Sequence, residues 1–180
     1  MADDLNLVGK LKPEERIVGE FRMHGVFSPD DGKYASATKK LLKYLSPGAE
    51  WMMCARIQEL LIETRAEFGQ ATEEQVNAVR RAMDKVDAVN MGMLEDIVTR
   101  HDQLAVIEEI GRFVSPQTKA LLHPGTTSYD VLDTARNYLF RQAWREVMRP
   151  EVVKGILGLA DIGEKGIDRI QVGRTHLKNT

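Results

Sequence analysis

From Ser46 onward the apolar residues return at steps of three and four, and nowhere does the chain sustain the alternate-residue pattern of a half-buried strand. That periodicity makes the fold class all-α. The first clear run opens at Ser46-Pro47, an N-cap followed by a proline at the first helical position. It carries Cys54, Ile57, Leu61, Thr64 and Phe68, and Gly69 ends it. Thr72 and Gln75 read as a capping box, because a hydroxyl and an amide three residues apart can each satisfy an orphan backbone N–H. The helix behind them is expected to bury Val76, Val79, Met83 and Val86, with Asn90-Met91-Gly92 interrupting it. Leu104, Ile107, Ile110 and Val114 then share a face that Ser115-Pro116 closes.

Two longer amphipathic helices follow. Thr127 to Asp130 offers the cap of the first, which carries Leu132, Ala135, Leu139, Ala143 and Val147. Pro150 can start the second, striped by Val153, Ile156, Ala160, Gly163, Ile167 and Ile170. Stripes at near-heptad spacing suit members of an antiparallel bundle, which two helices cannot close by themselves. Residues 1–42 read as an irregular lead-in, with the turn-rich stretch from His24 to Gly32 as loop. The expected division is an N-terminal helical domain over residues 1–122 and the start of a central bundle domain over residues 123–180.

Composition narrows the function classes. With 25 Lys and Arg against 27 Asp and Glu, the net charge of -2 gives no basic field to attract nucleic acid. No stretch approaches the length of apolar sequence that a membrane span needs, and the start, Met1-Ala2-Asp3-Asp4, lacks the pattern of a secretory signal. The cytoplasm is the expected location. The single Cys54 can form neither an internal disulfide nor a thiolate metal site.

Chemistry concentrates in three segments, each holding a histidine: Arg100-His101-Asp102, His123-Pro124-Gly125-Thr126-Thr127-Ser128, and Gly173-Arg174-Thr175-His176. Asp102 can cap the helix that starts beside it. The hydroxyls and backbone N–H groups of Thr126 to Ser128 stand at the head of a long helix, where orphan donors and the helix dipole favour a phosphate or carboxylate. His176 follows a bundle helix and a glycine, and an imidazole there can donate or accept a proton near neutrality. Each segment also has an ordinary structural reading, as a helix cap or a solvated histidine. The fourth histidine, His24, has no assigned role.

The order of the three segments resembles the aspartase/fumarase superfamily. His123 to Ala135 is similar to its first signature, His-x-Gly-x-Thr-Ser-x-Asp-Val-x-Asp-Thr-Ala, and Gly173 to Leu177 to its second, built around Thr-His-x-Gln. Arg100-His101-Asp102 looks like the Arg/Lys-His-Asp-Val motif of the adenylosuccinate lyase branch. Lys43-Tyr44-Leu45-Ser46-Pro47, with Trp51 behind it, is similar to that branch's Arg-Tyr-x-x-Pro segment.

The resemblance implies a small helical N-terminal domain leading into a long bundle. It implies β-elimination of fumarate from a succinylated purine nucleotide: a base takes a Cβ proton, and an acid protonates the leaving nitrogen. On this reading His176 is the general acid and His101 a second catalytic residue. Lys43, Tyr44, Arg100, His101, Asp102, His123, Thr127, Ser128 and Thr175 bind the small-molecule substrate. Neither metal nor organic cofactor is expected, and the implied assembly is a homotetramer whose sites draw on three subunits. Other lyases of the superfamily, of argininosuccinate lyase, fumarase or carboxymuconate cycloisomerase type, are the nearest alternatives, followed by a non-catalytic helical interaction module.

Three departures accompany the resemblance. Lys43 replaces an arginine, which keeps the charge but loses the bidentate fork. Lys178 replaces the glutamine of the second signature. The serine-bearing loop that supplies the base in the superfamily lies beyond Thr180, so these residues are expected to be an inactive portion of a longer enzyme. Losing one member of an acid/base pair costs about 10² to 10⁴ in rate. The 180 residues alone are expected to release no measurable fumarate from adenylosuccinate. An ultraviolet assay of fumarate formation checks this, and ordinary turnover would place the base within them.

Overall fold

The computed structural model describes residues 3–28, 31–170, 173–175 and 178–179, and it divides into two compact units, Met1–Ala143 and Trp144–Thr180. The first unit opens with two short 3-10 turns, Asp3–Leu5 and Val8–Lys10. Helix α1 (Pro13–His24), α2 (Asp31–Thr38), a 3-10 turn at Lys39–Leu41 and α3 (Leu42–Leu45) follow. The lead-in expected to be irregular is therefore largely helical. Local signals explain it: Pro13 occupies the first turn, Glu15 accepts the Lys12 backbone N–H at 2.8 Å, and Gly25 ends the helix on the Phe21 carbonyl.

Helix α4 (Pro47–Glu67) is the spine of the unit, with α1, α5, α7 and α9 packed on it. Its start and stop are as the sequence predicts: Ser46 Oγ accepts from the Ala49 N–H at 3.2 Å, and Gly69 turns the chain with φ +69°. Helix α5 (Glu73–Met83) begins with the full capping box of Thr72 and Gln75, at 2.8 and 3.2 Å. It buries Val76, Val79 and Ala82, while Met83 and Val86 are only partly covered.

The expected break at Asn90-Met91-Gly92 is not there. The chain breaks earlier, where Asp87 caps a new helix, α6 (Ala88–Leu94), by accepting the Val89 N–H at 2.8 Å. A π-helical turn at Glu95–Thr99 leads to α7 (Asp102–Gly111), then α8 (Pro116–Lys119) and α9 (Ser128–Ala143). On α7 the buried apolar residues are Ala105, Val106, Ile107 and Ile110, with Gln103 and Glu109 buried beside them, and Leu104 faces outward, against expectation. Ser115 opens α8 by accepting the Thr118 N–H at 3.2 Å. The core gathers Ile62, Val79, Met91, Val106, Ile110 and Val131.

The second unit contains a π-helical turn at Trp144–Met148 and α10 (Arg149–Gly166), followed by a two-residue antiparallel pair, β1 (Arg174–Thr175) with β2 (Lys178–Asn179). The fold is all-α apart from this pair among the described residues. The units divide after Ala143, whereas the sequence suggested a boundary at residue 123. The reason is packing: α9 lies on α4 and sinks Val131, Leu132, Ala135 and Leu139 into the first unit. On α10 Ile156, Leu157, Leu159 and Ile162 are all exposed. None of the described helices is long and apolar enough to cross a membrane.

A buried polar clasp ties the lead-in to this frame. Asn90, fully buried, accepts the Leu7 and Val8 N–H groups at 2.8 and 3.0 Å, and its amide donates to the Leu5 carbonyl at 3.0 Å and to Glu109. Removing one partner from buried hydrogen bonds costs on the order of 1–3 kcal/mol. Asn90→Ala is expected to destabilise the protein by about that amount in urea unfolding and to expose the chain before α1 to protease.

Candidate active site

Arg100 fixes the approach to the site. It closes the π-helical turn with φ 52° and ψ 25°, a left-handed conformation that few non-glycine residues hold. The chain then reverses, and His101, not Asp102, becomes the N-cap of α7, with Nδ1 accepting the Leu104 N–H at 3.4 Å. A neutral ring in that role carries its proton on Nε2, which stands 3.2 Å from Ser128 Oγ at the head of α9. Asp102 Oδ1 lies 3.2 Å from Nδ1, placed to receive the second proton of an imidazolium. Histidine, carboxylate and hydroxyl thus meet at one point from two helix starts.

His123 stands behind them, also left-handed, with φ 71°. Its Nδ1 lies 2.9 Å from Thr126 Oγ1 and 3.2 Å from Gln58 Nε2. Gln58 also reaches Gln103 Oε1 at 3.4 Å, and both glutamines are fully buried. Burial holds the His123 pKa below its ordinary value, and the charge of nearby His101 lowers it further. Arg65 donates to the Pro124 carbonyl, tying the loop to α4. The Thr127 N–H is already taken by Asp130 Oδ2 at 2.8 Å, so that donor at the head of α9 is not open to an anion as the sequence suggested.

A cleft of about 530 Å³ lies alongside, within the first unit. Tyr44, Trp51, Leu132 and Phe140 give it aromatic and apolar walls. Glu95, Asp102 and Gln103 supply polar groups, and Glu50 holds Arg136 in a two-pronged bridge at 2.8 Å. Burial, then the carboxylates of Asp102 and Asp96, raise the proton affinity of Glu95. Burial pushes the Cys54 thiol up to about 11, so it stays protonated and unreactive at neutral pH.

Of the residues singled out in the sequence, the structure joins His101, Asp102 and Ser128 directly and links His123 to Gln103 through Gln58. Tyr44 and Asp102 share the cleft. Lys43 borders a separate shallow hollow with His24 and Met52, and its Nζ donates to the Tyr44 hydroxyl at 3.0 Å. Arg100 and Thr127 are exposed. Thr175 belongs to β1 in the second unit, and His176 lies outside the described residues.

A family model described as "Lyase" matches residues 34–180. The chain belongs to the aspartase/fumarase superfamily of lyases. The chain is 32% identical over 120 residues to an adenylosuccinate lyase of Streptococcus mutans, covering 67% of the chain and 27% of the relative. Against an adenylosuccinate lyase of Staphylococcus saprophyticus it is 30% identical, with the same coverage. The match thus spans about a quarter of the length of these curated relatives. No solved structure matches the chain.

Sequence reasoning missed Gln58, Gln103, Glu95 and the Glu50–Arg136 bridge. Gln58 and Gln103 carried a faint signal, as amides lying among apolar helical positions. His123 offers a direct check. Because its folded pKa is depressed, the unfolded chain takes up its proton first, and stability is lost as pH falls below the ordinary value of 6.5. His123→Asn keeps a residue tolerant of the left-handed backbone and removes the titration. Urea unfolding at pH 7 and pH 5 is expected to show a smaller acid-induced loss in the variant than in the wild type.

Proposed function

We propose that these residues form the nucleotide- and succinyl-binding part of an adenylosuccinate lyase, which eliminates fumarate from adenylosuccinate and from the related succinylcarboxamide ribotide of purine biosynthesis. The observation that carries the reading is the His101 imidazole, held between Asp102 and Ser128 with its ring nitrogens at 3.2 Å from each. A ring so placed can bind a substrate carboxylate as a donor and, once doubly protonated, stabilise negative charge that develops during elimination. The names and similarity of the two bacterial relatives support the same substrate.

In this scheme Arg100, Lys43 and Tyr44 contribute charge and hydroxyl to the nucleotide, and Thr127, Ser128 and His123 frame the anionic end. His176, with Thr175 beside it, is the general acid toward the leaving nitrogen; its support is the Thr-His segment of the second signature. The base, and the further subunits of a cytoplasmic homotetramer, come from outside these residues. No metal or organic cofactor is required, because two positioned proton-transfer groups and anion binding suffice for the elimination.

The test uses the assembled enzyme and follows fumarate release. His176→Gln is expected to lower kcat by about 10² to 10⁴ with a much smaller change in KM. His101→Gln and Ser128→Ala should also slow turnover, but with a larger share of the loss in substrate binding. A near-normal kcat for the His176 variant would remove that residue from the mechanism. Unchanged parameters for both His101 and Ser128 variants would remove the shared hydrogen bond from it.

A further inference from the structure

Helix α1 has no part in the proposed chemistry, yet the chain that leaves it reaches the cleft. Phe27, just beyond the end of α1, lines the cleft with Tyr44, Trp51 and Phe140. It is partly exposed, so a ligand seated there can touch its ring. Both α1 and Phe27 lie ahead of residues 34–180, the span of the family match. They also precede every motif from Lys43 onward that carries the resemblance.

Three helical glycines seat this segment. A Cβ at Gly48, in the first turn of α4, would strike the His24 imidazole and stand 2.9 Å from the Met23 carbonyl oxygen. One at Gly92 on α6 would strike the end of the Met23 side chain, and one at Gly19 on α1 would stand 2.7 Å from Val89 of α6. Glycine inside a helix costs about 0.5–1 kcal/mol relative to alanine, and close seating of α1 on α4 and α6 is what these three obtain in return. Tyr44, Leu45, Ser46 and Pro47, which lead into Gly48, all line the cleft. The contact that holds the end of α1 therefore also fixes Phe27 in the wall that Tyr44 shares.

We propose that Phe27 is a specificity-determining residue of this lyase, seated by α1 in the cleft wall, where its ring packs on the nucleoside part of the substrate. Aromatic faces suit a ribose or a planar base. Glu50, Glu95 and Asp102 line the same cleft, and Arg136 is already held by Glu50, so this wall disfavours the phosphate and succinyl ends. The proposal rests on the reading of a succinylated purine nucleotide as substrate. It goes beyond that reading by giving a substrate contact to a residue that no matched motif contains.

The test uses the assembled enzyme and follows fumarate release. Phe27→Ala is expected to raise KM for adenylosuccinate about tenfold and to change kcat by less than about threefold, as loss of uniform binding does. Inhibition by the product adenosine 5′-monophosphate should weaken by the same factor. Inhibition by inorganic phosphate and by fumarate should not change, which places the contact on the nucleoside. Alanine suits a helix better than glycine, so Gly48→Ala reports its contact with α1. It is expected to raise KM about fivefold alone and to add nothing to Phe27→Ala. A merely structural Phe27 would lower Tm and leave KM and the inhibition constants where they were.

Unchanged KM and nucleotide inhibition in the folded Phe27→Ala enzyme would overturn the proposal and leave the substrate reading standing. Phe27→Leu covers an alanine variant that fails to fold: it keeps apolar bulk, loses the ring and is expected to raise KM about threefold. No change there would overturn the proposal equally, and additive effects of Gly48→Ala and Phe27→Ala would overturn the seating by α1. An unaltered enzyme that neither turns over adenylosuccinate nor responds to the nucleotide would overturn the substrate reading and the proposal together.

Discussion

The placing of His123 against the start of α7 depends on Gln58. It sits in the middle of α4, fully buried, and its amide nitrogen lies 3.4 Å from Gln103 and 3.2 Å from His123. One side chain therefore ties the spine of the unit to the start of α7 and to the turn before α9. Those are the two segments whose ends meet at His101 and Ser128. An apolar residue at position 58 would pack as well but would leave the His123 ring without that partner. A polar contact inside a low-dielectric core fixes direction as well as distance, which is why such groups specify geometry even where they add little net stability. Here the unpaired Gln58 Oε1 marks the stability given up for that geometry.

Strain enters at the same place. Arg100 and His123 are the two non-glycine residues with positive φ among those described, and they flank the histidine–serine contact from either side. A left-handed residue costs on the order of 1–3 kcal/mol and persists only where its surroundings hold it. Arg100 is held by the carbonyl of Glu95, which its N–H reaches at 2.9 Å, and His123 by Thr126 and Gln58. The two reversals lie just ahead of the helix starts that meet at His101 and Ser128.

What was legible in the sequence was local. The Ser46 cap, the Thr72–Gln75 box and the stop at Gly69 all act over three or four residues, so the chain carries them in plain order. The core stripe of α9 was equally legible, because periodicity reports burial directly. The failures were long-range. Asn90 looked like a helix breaker, yet it is buried because Leu5, Leu7, Val8 and Glu109 bring their polar groups to it from far along the chain. Leu104 looked like core, but the cap at His101 sets the phase of α7 and turns that residue outward. Two of the three histidine segments lie together in the first unit, while the glutamines joining them belong to no local pattern.

The two units differ in how much of their own apolar surface they cover, and that bears on the proposed division of labour. The first unit sinks the α9 stripe against α4, so His101, Asp102, Ser128 and His123 are positioned by a core that this stretch of chain builds for itself. On α10 the apolar residues Val152, Val153, Ile156, Leu157 and Ile162 all remain exposed, and no described side chain of that helix is buried. Exposed apolar surface of this kind is normally covered by a partner. In an elimination, binding groups gain from being rigid before substrate arrives, whereas a proton donor must be aligned only when the bond breaks. On the proposed assignment, the binding groups other than Thr175 belong to the self-contained first unit. The general acid follows a helix that depends on other surfaces for its burial, so substrate recognition would be built into this unit while proton transfer would depend on assembly.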